Sequence, residues 1–131
     1  DVYKRQPHME SKGWGRIVTL GSVQQNRPSK QMIVYAASKA AQLNMVKNLA
    51  WQLGNKGITI NNLAPGVIGT VRNEEVLSNE VFKTKIEKNI PLGYIGEPDD
   101  LASMALLLCS EAGRYISGAD ILVDGGMSLP E

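Results

Sequence analysis

Two rhythms of apolar and polar residues run along the chain. Arg16-Ile17-Val18-Thr19-Leu20 is rich in apolar and β-branched types, follows Gly13-Trp14-Gly15, and predicts a buried strand. Residues 21–30 are polar, carry Asn26 and Pro28, and predict a loop. From 32 to 53 the rhythm changes. Ala36, Ala40, Leu43, Val46, Leu49, Ala50 and Leu53 recur three and four apart, the spacing of a helix, with Gly54 and Gly57 as its stop.

Residues 58–63 alternate again and break at Pro65-Gly66, a second strand followed by a loop over 66–73. Residues 74–89 are charged and weakly amphipathic and predict one mobile helix. Residues 91–96 read as a turn. Pro98 can open a helix without losing an amide bond, and Asp99 and Asp100 suit the positive end of its dipole. Residues 101–109 are almost all apolar, so this helix is expected to be packed on most of its surface, with Cys109 in a core. Ile121-Leu122-Val123 predicts a third strand, closed by Gly125-Gly126.

Strands separated by helical crossovers indicate an α/β fold with a parallel sheet. Chemistry in such sheets gathers at the carboxyl ends of the strands. That rule brings Gly21-Ser22 and Pro65-Gly66 to one edge, and the start of the long helix brings Tyr35 and Lys39 there too.

At 131 residues the chain is about one domain. Fourteen basic against thirteen acidic side chains give no compositional case for a nucleic-acid or membrane-surface partner. No apolar stretch approaches the length of a membrane span. One cysteine and one histidine leave no Cys/His metal cluster, and a reducing cytoplasm is the expected compartment. Asp1 to Gln6 reverse-translates to a sequencing-adaptor end. Residues 1–6 are therefore read as an adaptor scar, the alternative being a natural polar start, and 7–131 as the domain.

Tyr35 and Lys39 lie one helical turn apart and share a face. An ordinary tyrosine gives up its proton only near pH 10, and a neighbouring ammonium favours the phenolate. Ser22 supplies a hydroxyl that can bind a carbonyl or alcohol oxygen. Together the three suit carbonyl–alcohol interconversion with a hydride from a cofactor. The spacing alone is weak, since chance gives about 0.3 such Tyr–Lys pairs in a chain of ordinary composition. The conjunction with Ser22 and Pro65-Gly66 on one edge carries the reading.

The segments Gly15-Arg16-Ile17-Val18-Thr19-Leu20-Gly21-Ser22 and Tyr35-Ala36-Ala37-Ser38-Lys39-Ala40-Ala41 resemble the catalytic segments of short-chain dehydrogenases/reductases. Ile60-Asn61-Asn62-Leu63-Ala64-Pro65-Gly66-Val67-Ile68-Gly69-Thr70 is similar to the segment after the family's sixth strand. Residues 91–102 and 116–126 resemble its C-terminal signatures. The resemblance implies the C-terminal part of a doubly wound parallel-sheet (Rossmann) fold whose first four strands are missing, a partial catalytic domain inactive on its own.

It also implies that Ser22, Tyr35 and Lys39 are catalytic. Tyr35, Lys39, Pro65, Gly66, Val67, Ile68 and Thr70 would contact NAD or NADP: Lys39 at the nicotinamide ribose, 65–68 at the ring and carboxamide through backbone groups, Thr70 at the carboxamide or pyrophosphate. The substrate would be a small alcohol or carbonyl compound, of 3-oxoacyl-carrier-protein or sugar/polyol type. The full-length protein would be a homo-oligomer, dimer or tetramer, with Met45 and Trp51 near a subunit contact, and no nucleic acid, membrane or metal would take part.

The chain departs from the family at several points. The Gly-rich phosphate turn, the residue after the second strand that separates NAD from NADP, and the family's catalytic asparagine are not in it. Gly21 stands where relatives often have serine, and Gly69 where they often have a polar residue. A non-catalytic nucleotide-sensing or scaffolding relative is the alternative, against which the intact Ser22, Tyr35 and Lys39 argue. His8 reads as solvated, the 83–88 charge run as a solvated face, and the wider 70–93 segment resembles a substrate-covering lid.

Overall fold

A computed structural model describes residues 2–27 and 30–130. Asp1, and the loop position read at Pro28, lie outside the described residues. Helix α1 (Val2–Lys12) precedes strand β1 (Gly15–Leu20), and the long helix α2 (Ile33–Leu53) leads to strand β2 (Ile58–Pro65). Two short helices, α3 (Glu74–Leu77) and α4 (Glu80–Glu87), are followed by α5 (Pro98–Cys109) and strand β3 (Asp120–Val123). The strands form one parallel sheet in the order β1-β2-β3. Among the described residues no helix is long and apolar enough to cross a membrane.

Strand β2 is buried along almost its whole length, as a central parallel strand covered on both faces must be. Ile58 and Ile60 point to one face and join Val46, Leu49 and Leu53 of α2 in the main core, with Met9, Ile17 and Ala50 packed around it. Each fully buried aliphatic side chain there is worth about 1.5–3 kcal/mol of transfer free energy. The i, i+3 and i+4 spacing of those α2 residues is the pattern visible in the sequence.

The sheet register sets the rest. Gly15 pairs with Ile58 and Leu20 with Leu63, while Asn62 pairs with Asp120. Thr19 of β1 also pairs with Asn62. Thr19, Asn62 and Asp120 therefore form one row across all three strands.

Three expectations change. The helix expected over 74–89 is two helices, because Asn79 leaves the helical conformation and its Oδ1 accepts from the Val81 and Phe82 N–H groups at 3.1 and 3.3 Å. Asparagine caps a helix better than it continues one. The loop at 21–30 contains a 3-10 turn over Val23–Gln25.

Helix α5 is not packed on most of its surface. Leu108 is its one buried residue, Leu106 is 72% exposed, and Cys109 is exposed rather than in a core. The helix meets β1, β2 and the turn over Glu111–Gly113, and among the described residues Leu106 on its other side stays exposed. Its start follows expectation: Pro98 occupies the first turn, and the Asp100 carboxylate accepts from the Glu97 N–H at 2.7 Å. Helix α1 continues back through Pro7 across residues 2–6, and His8 on it is exposed.

Candidate active site

Strand β1 ends at Leu20, and the next two residues turn the chain toward α2. Ser22 is extended (φ −164°, ψ 149°) and buried, and it caps the short turn over Val23–Gln25. Its Oγ accepts from the Gln24 N–H at 3.2 Å, and among the described residues its hydroxyl proton has no acceptor. Tyr35 is in the first turn of α2 and Lys39 one turn later. The Lys39 ammonium lies 5.8 Å from the centre of the Tyr35 ring. It donates to the Leu20 carbonyl at 2.6 Å, two residues before Ser22. The structure thus brings Lys39 to both Tyr35 and the end of β1.

Beneath this edge lies a set of side chains that sequence reasoning missed. Asn62, fully buried on β2, fills all four of its hydrogen-bonding positions. Its Nδ2 donates to Asp120 Oδ1 at 2.8 Å and Gln25 Oε1 at 3.3 Å. Its Oδ1 accepts from Thr19 Oγ1 at 2.7 Å and Gln42 Nε2 at 3.3 Å. Gln25 in turn donates to Asp120 at 2.7 Å and accepts from the Ser22 N–H at 3.3 Å. Gln42 donates to the Leu20 carbonyl at 2.9 Å, beside Lys39. Two adjacent asparagines inside an otherwise apolar buried strand were the available signal, because buried amides require partners.

The neighbouring asparagine does different work. Asn61 Nδ2 donates to the Ile116 carbonyl at 2.7 Å, and its Oδ1 accepts from the Ala119 N–H at 3.1 Å. It holds the segment that leads into β3.

Pro65 ends β2, and the Gly66 N–H donates to the Val123 carbonyl at 3.0 Å. A Cβ on Gly66 would stand 2.8 Å from the Asp124 Cα. The need for glycine there arises from close backbone packing as well as from any ligand. Val67 and Ile68 line a cleft of about 200 Å³ with Ile90, Leu92, Tyr94 and Asp124. Burial pushes the Asp124 carboxyl up, but hydrogen bonds from Ser128 and from the Gly126 and Ser128 amides outweigh it and hold the group below the ordinary aspartate value.

Among the described residues the Ile68 N–H has no protein acceptor, although its neighbours Val67 O and Gly69 N both pair with Gly96. Thr70 is exposed and begins the turn over Val71–Asn73. Ser22, Tyr35 and Lys39 do not line the 200 Å³ cleft, and Tyr35 borders a separate shallow hollow with Lys30 and Gln31. A nicotinamide nucleotide fits this donor set. The Lys39 ammonium and the unused Ile68 N–H are donors of the kind that ribose hydroxyls and a carboxamide oxygen require. The described residues contain no cluster of groups able to hold a metal ion.

Fold and site together define a parallel α/β protein with its polar groups gathered at the carboxyl ends of its strands, the edge where such folds bind ligands. The chain belongs to the short-chain dehydrogenase/reductase family. A family model described as enoyl-(acyl carrier protein) reductase matches residues 2–128. The 7alpha-hydroxysteroid dehydrogenase of Escherichia coli K12 is 39% identical over 120 residues, 92% of this chain and 47% of that protein. The 3beta-hydroxysteroid dehydrogenase 1 of Eggerthella lenta is 38% identical over 115 residues, 88% of this chain and 44% of that protein.

A gluconate 5-dehydrogenase from Burkholderia cenocepacia, solved with NADP and tartrate, superposes with a TM-score of 0.94 at 30% identity. That match covers 99% of this chain and 51% of the other. The chain spans about half the length of the relatives it matches.

Proposed function

We propose that this chain is the catalytic part of an NAD(P)-dependent oxidoreductase that interconverts an alcohol and a carbonyl. The observation that supports the reading best is the path of Lys39, from the Tyr35 ring to the Leu20 carbonyl beside Ser22. It links the start of α2 to the end of β1, two residues from Ser22. The free Ser22 hydroxyl donates to the substrate oxygen and holds it. Tyr35 passes a proton to that oxygen in reduction and takes it back in oxidation. The Lys39 charge stabilises the negative oxygen that the transfer leaves.

NAD or NADP supplies or accepts the hydride when bound. Lys39 would hold its ribose, the backbone from Pro65 to Ile68 and the Thr70 hydroxyl would hold the nicotinamide end, and Val67 would pack against the ring. The relatives named above act on hydroxysteroids and gluconate, and an acyl-thioester or sugar-type alcohol fits the same chemistry. The working protein is a cytoplasmic homo-oligomer in this reading. Ile33, Val34, Met45 and Trp51 are exposed apolar side chains of α2 that a subunit contact would cover.

The test replaces Tyr35 by Phe in the full-length protein. Turnover of D-gluconate, a 7α-hydroxysteroid and a 3-hydroxyacyl thioester is followed by NAD(P)H absorbance. Loss of a positioned acid/base costs about 10²–10⁴-fold in rate, with coenzyme affinity unchanged. Turnover equal to the parent would remove Tyr35 from the reaction.

A further inference from the structure

Gly21 follows β1 directly, and the structure gives a reason for a residue without a side chain there. A Cβ built on Gly21 would lie 2.2 Å from Asn62 Nδ2, 2.7 Å from Gln25 Oε1 and 2.8 Å from Asn62 Oδ1. The space a side chain would use is occupied by two interlocked carboxamides. Gly21 and Asn62 are therefore a matched pair, one giving up its side chain so that the other can be buried.

We propose that Asn62 is a positioning residue that fixes Ser22 and Lys39 to one point of the sheet, with Gly21 providing the room. The proposal rests on the reading of Ser22, Tyr35 and Lys39 given above. On one side, Asn62 holds Gln25, whose Oε1 accepts the Ser22 N–H and so fixes the turn on which the Ser22 hydroxyl is carried. On the other side, Asn62 holds Gln42, which shares the Leu20 carbonyl with Lys39 and lies 3.5 Å from its ammonium.

The direction of the Asn62 amide is not free. Asp120 Oδ1 can only accept, so Nδ2 must face it, and Oδ1 must then face Thr19 and Gln42. Asp120 Oδ2 is taken by Asn26 Nδ2 at 3.0 Å, which ties the same turn down a second time. Thr19, Asn62 and Asp120 are register partners, so the sheet itself aligns the network. Rotation of Asn62 would break four bonds at once. Such a group transmits position because it has no second arrangement that satisfies its polar atoms.

The experiment uses the full-length protein with Asn62→Ala, Gly21→Ser, the two combined, and Gln42→Met, alongside Tyr35→Phe. Oxidation of D-gluconate and of a 7α-hydroxysteroid is measured with NAD and NADP, and amide exchange is read at Ser22. Misplacing reacting groups by about 1 Å costs on the order of 10²-fold. Asn62→Ala should therefore lower kcat by about 10- to 100-fold, raise coenzyme KM through the loosened Lys39, and speed Ser22 amide exchange. Gln42→Met, which releases only the Lys39 side, should lower kcat by about fivefold on the same argument.

Gly21→Ser alone should be the most damaged, and adding Asn62→Ala should recover about tenfold by removing the two contacts with Asn62, which leaves only the end of the Gln25 side chain to move aside. A merely structural role would lower the urea midpoint in Asn62→Ala without a selective rise in Ser22 amide exchange and without a kcat loss in Gln42→Met. Should Asn62→Ala fail to fold, Gln42→Met and the double variant decide. If Asn62→Ala and Gln42→Met both keep kcat within twofold while Tyr35→Phe abolishes turnover, the positioning role is refuted and the catalytic reading stands. Retained turnover in Tyr35→Phe would refute the catalytic reading itself.

Discussion

Asn61 and Thr59 sit two residues apart on one face of β2, both over nine-tenths buried, with opposite hydrogen-bonding fortunes. Asn61 binds the Ile116 carbonyl and the Ala119 N–H. Among the described residues the Thr59 hydroxyl has no partner. Asn61→Ala would orphan one acceptor and one donor, each worth about 1–3 kcal/mol when it loses its partner in a buried setting. Ile116 and Ala119 are half-buried and admit some water, so the expected loss is about 2–4 kcal/mol. With a urea slope of about 2 kcal/mol/M, the midpoint should fall by about 1–2 M.

Thr59→Val keeps the shape and removes a hydroxyl that is dehydrated for nothing. It should be neutral or stabilise by about 1 kcal/mol. Equilibrium urea unfolding measures both, and amide exchange at Ala119 should accelerate in Asn61→Ala alone. An Asn61→Ala loss below about 1 kcal/mol, or a Thr59→Val loss as large as that of Asn61→Ala, would refute the reasoning that partner satisfaction sets the stability of this strand.

Two further outcomes are expected. Leu53→Ala should cost about 2–5 kcal/mol in urea unfolding, because Leu53 is buried in the main core, whereas Leu106→Ala on the exposed side of α5 should change stability by less than about 0.5 kcal/mol. The Asp124 carboxyl is held below its ordinary value in the folded protein. Its contribution is therefore present above the unfolded value near pH 4 and is lost as pH falls through the folded value. Asp124→Asn should flatten the acid limb of a thermal-melting profile below about pH 4 and leave the neutral region with no pH slope of its own; an unchanged acid limb would remove Asp124 as its source.

The elements were legible wherever a residue's conformation depends on near neighbours. Apolar spacing marked α2, Pro98 and the aspartates marked the start of α5, and alternation ending at Pro65-Gly66 marked β2. The break at Asn79 was legible in principle, since capping is local, but the charged pattern around it masked the signal. Apolar composition misled at α5 because burial depends on what a helix meets, and a run of leucines does not say how many of its sides are covered.

Local chemistry and periodicity by themselves determined the parallel α/β arrangement and the shared helix face of Tyr35 and Lys39. Both follow from helix and strand repeats that act over a few residues. Tertiary structure alone decided that Asn62 would meet Thr19, Asp120, Gln25 and Gln42, and that Gly21 would have to make room. Those contacts join residues up to 58 positions apart. They depend on strand register, where a slip of one residue sends every side chain to the opposite face.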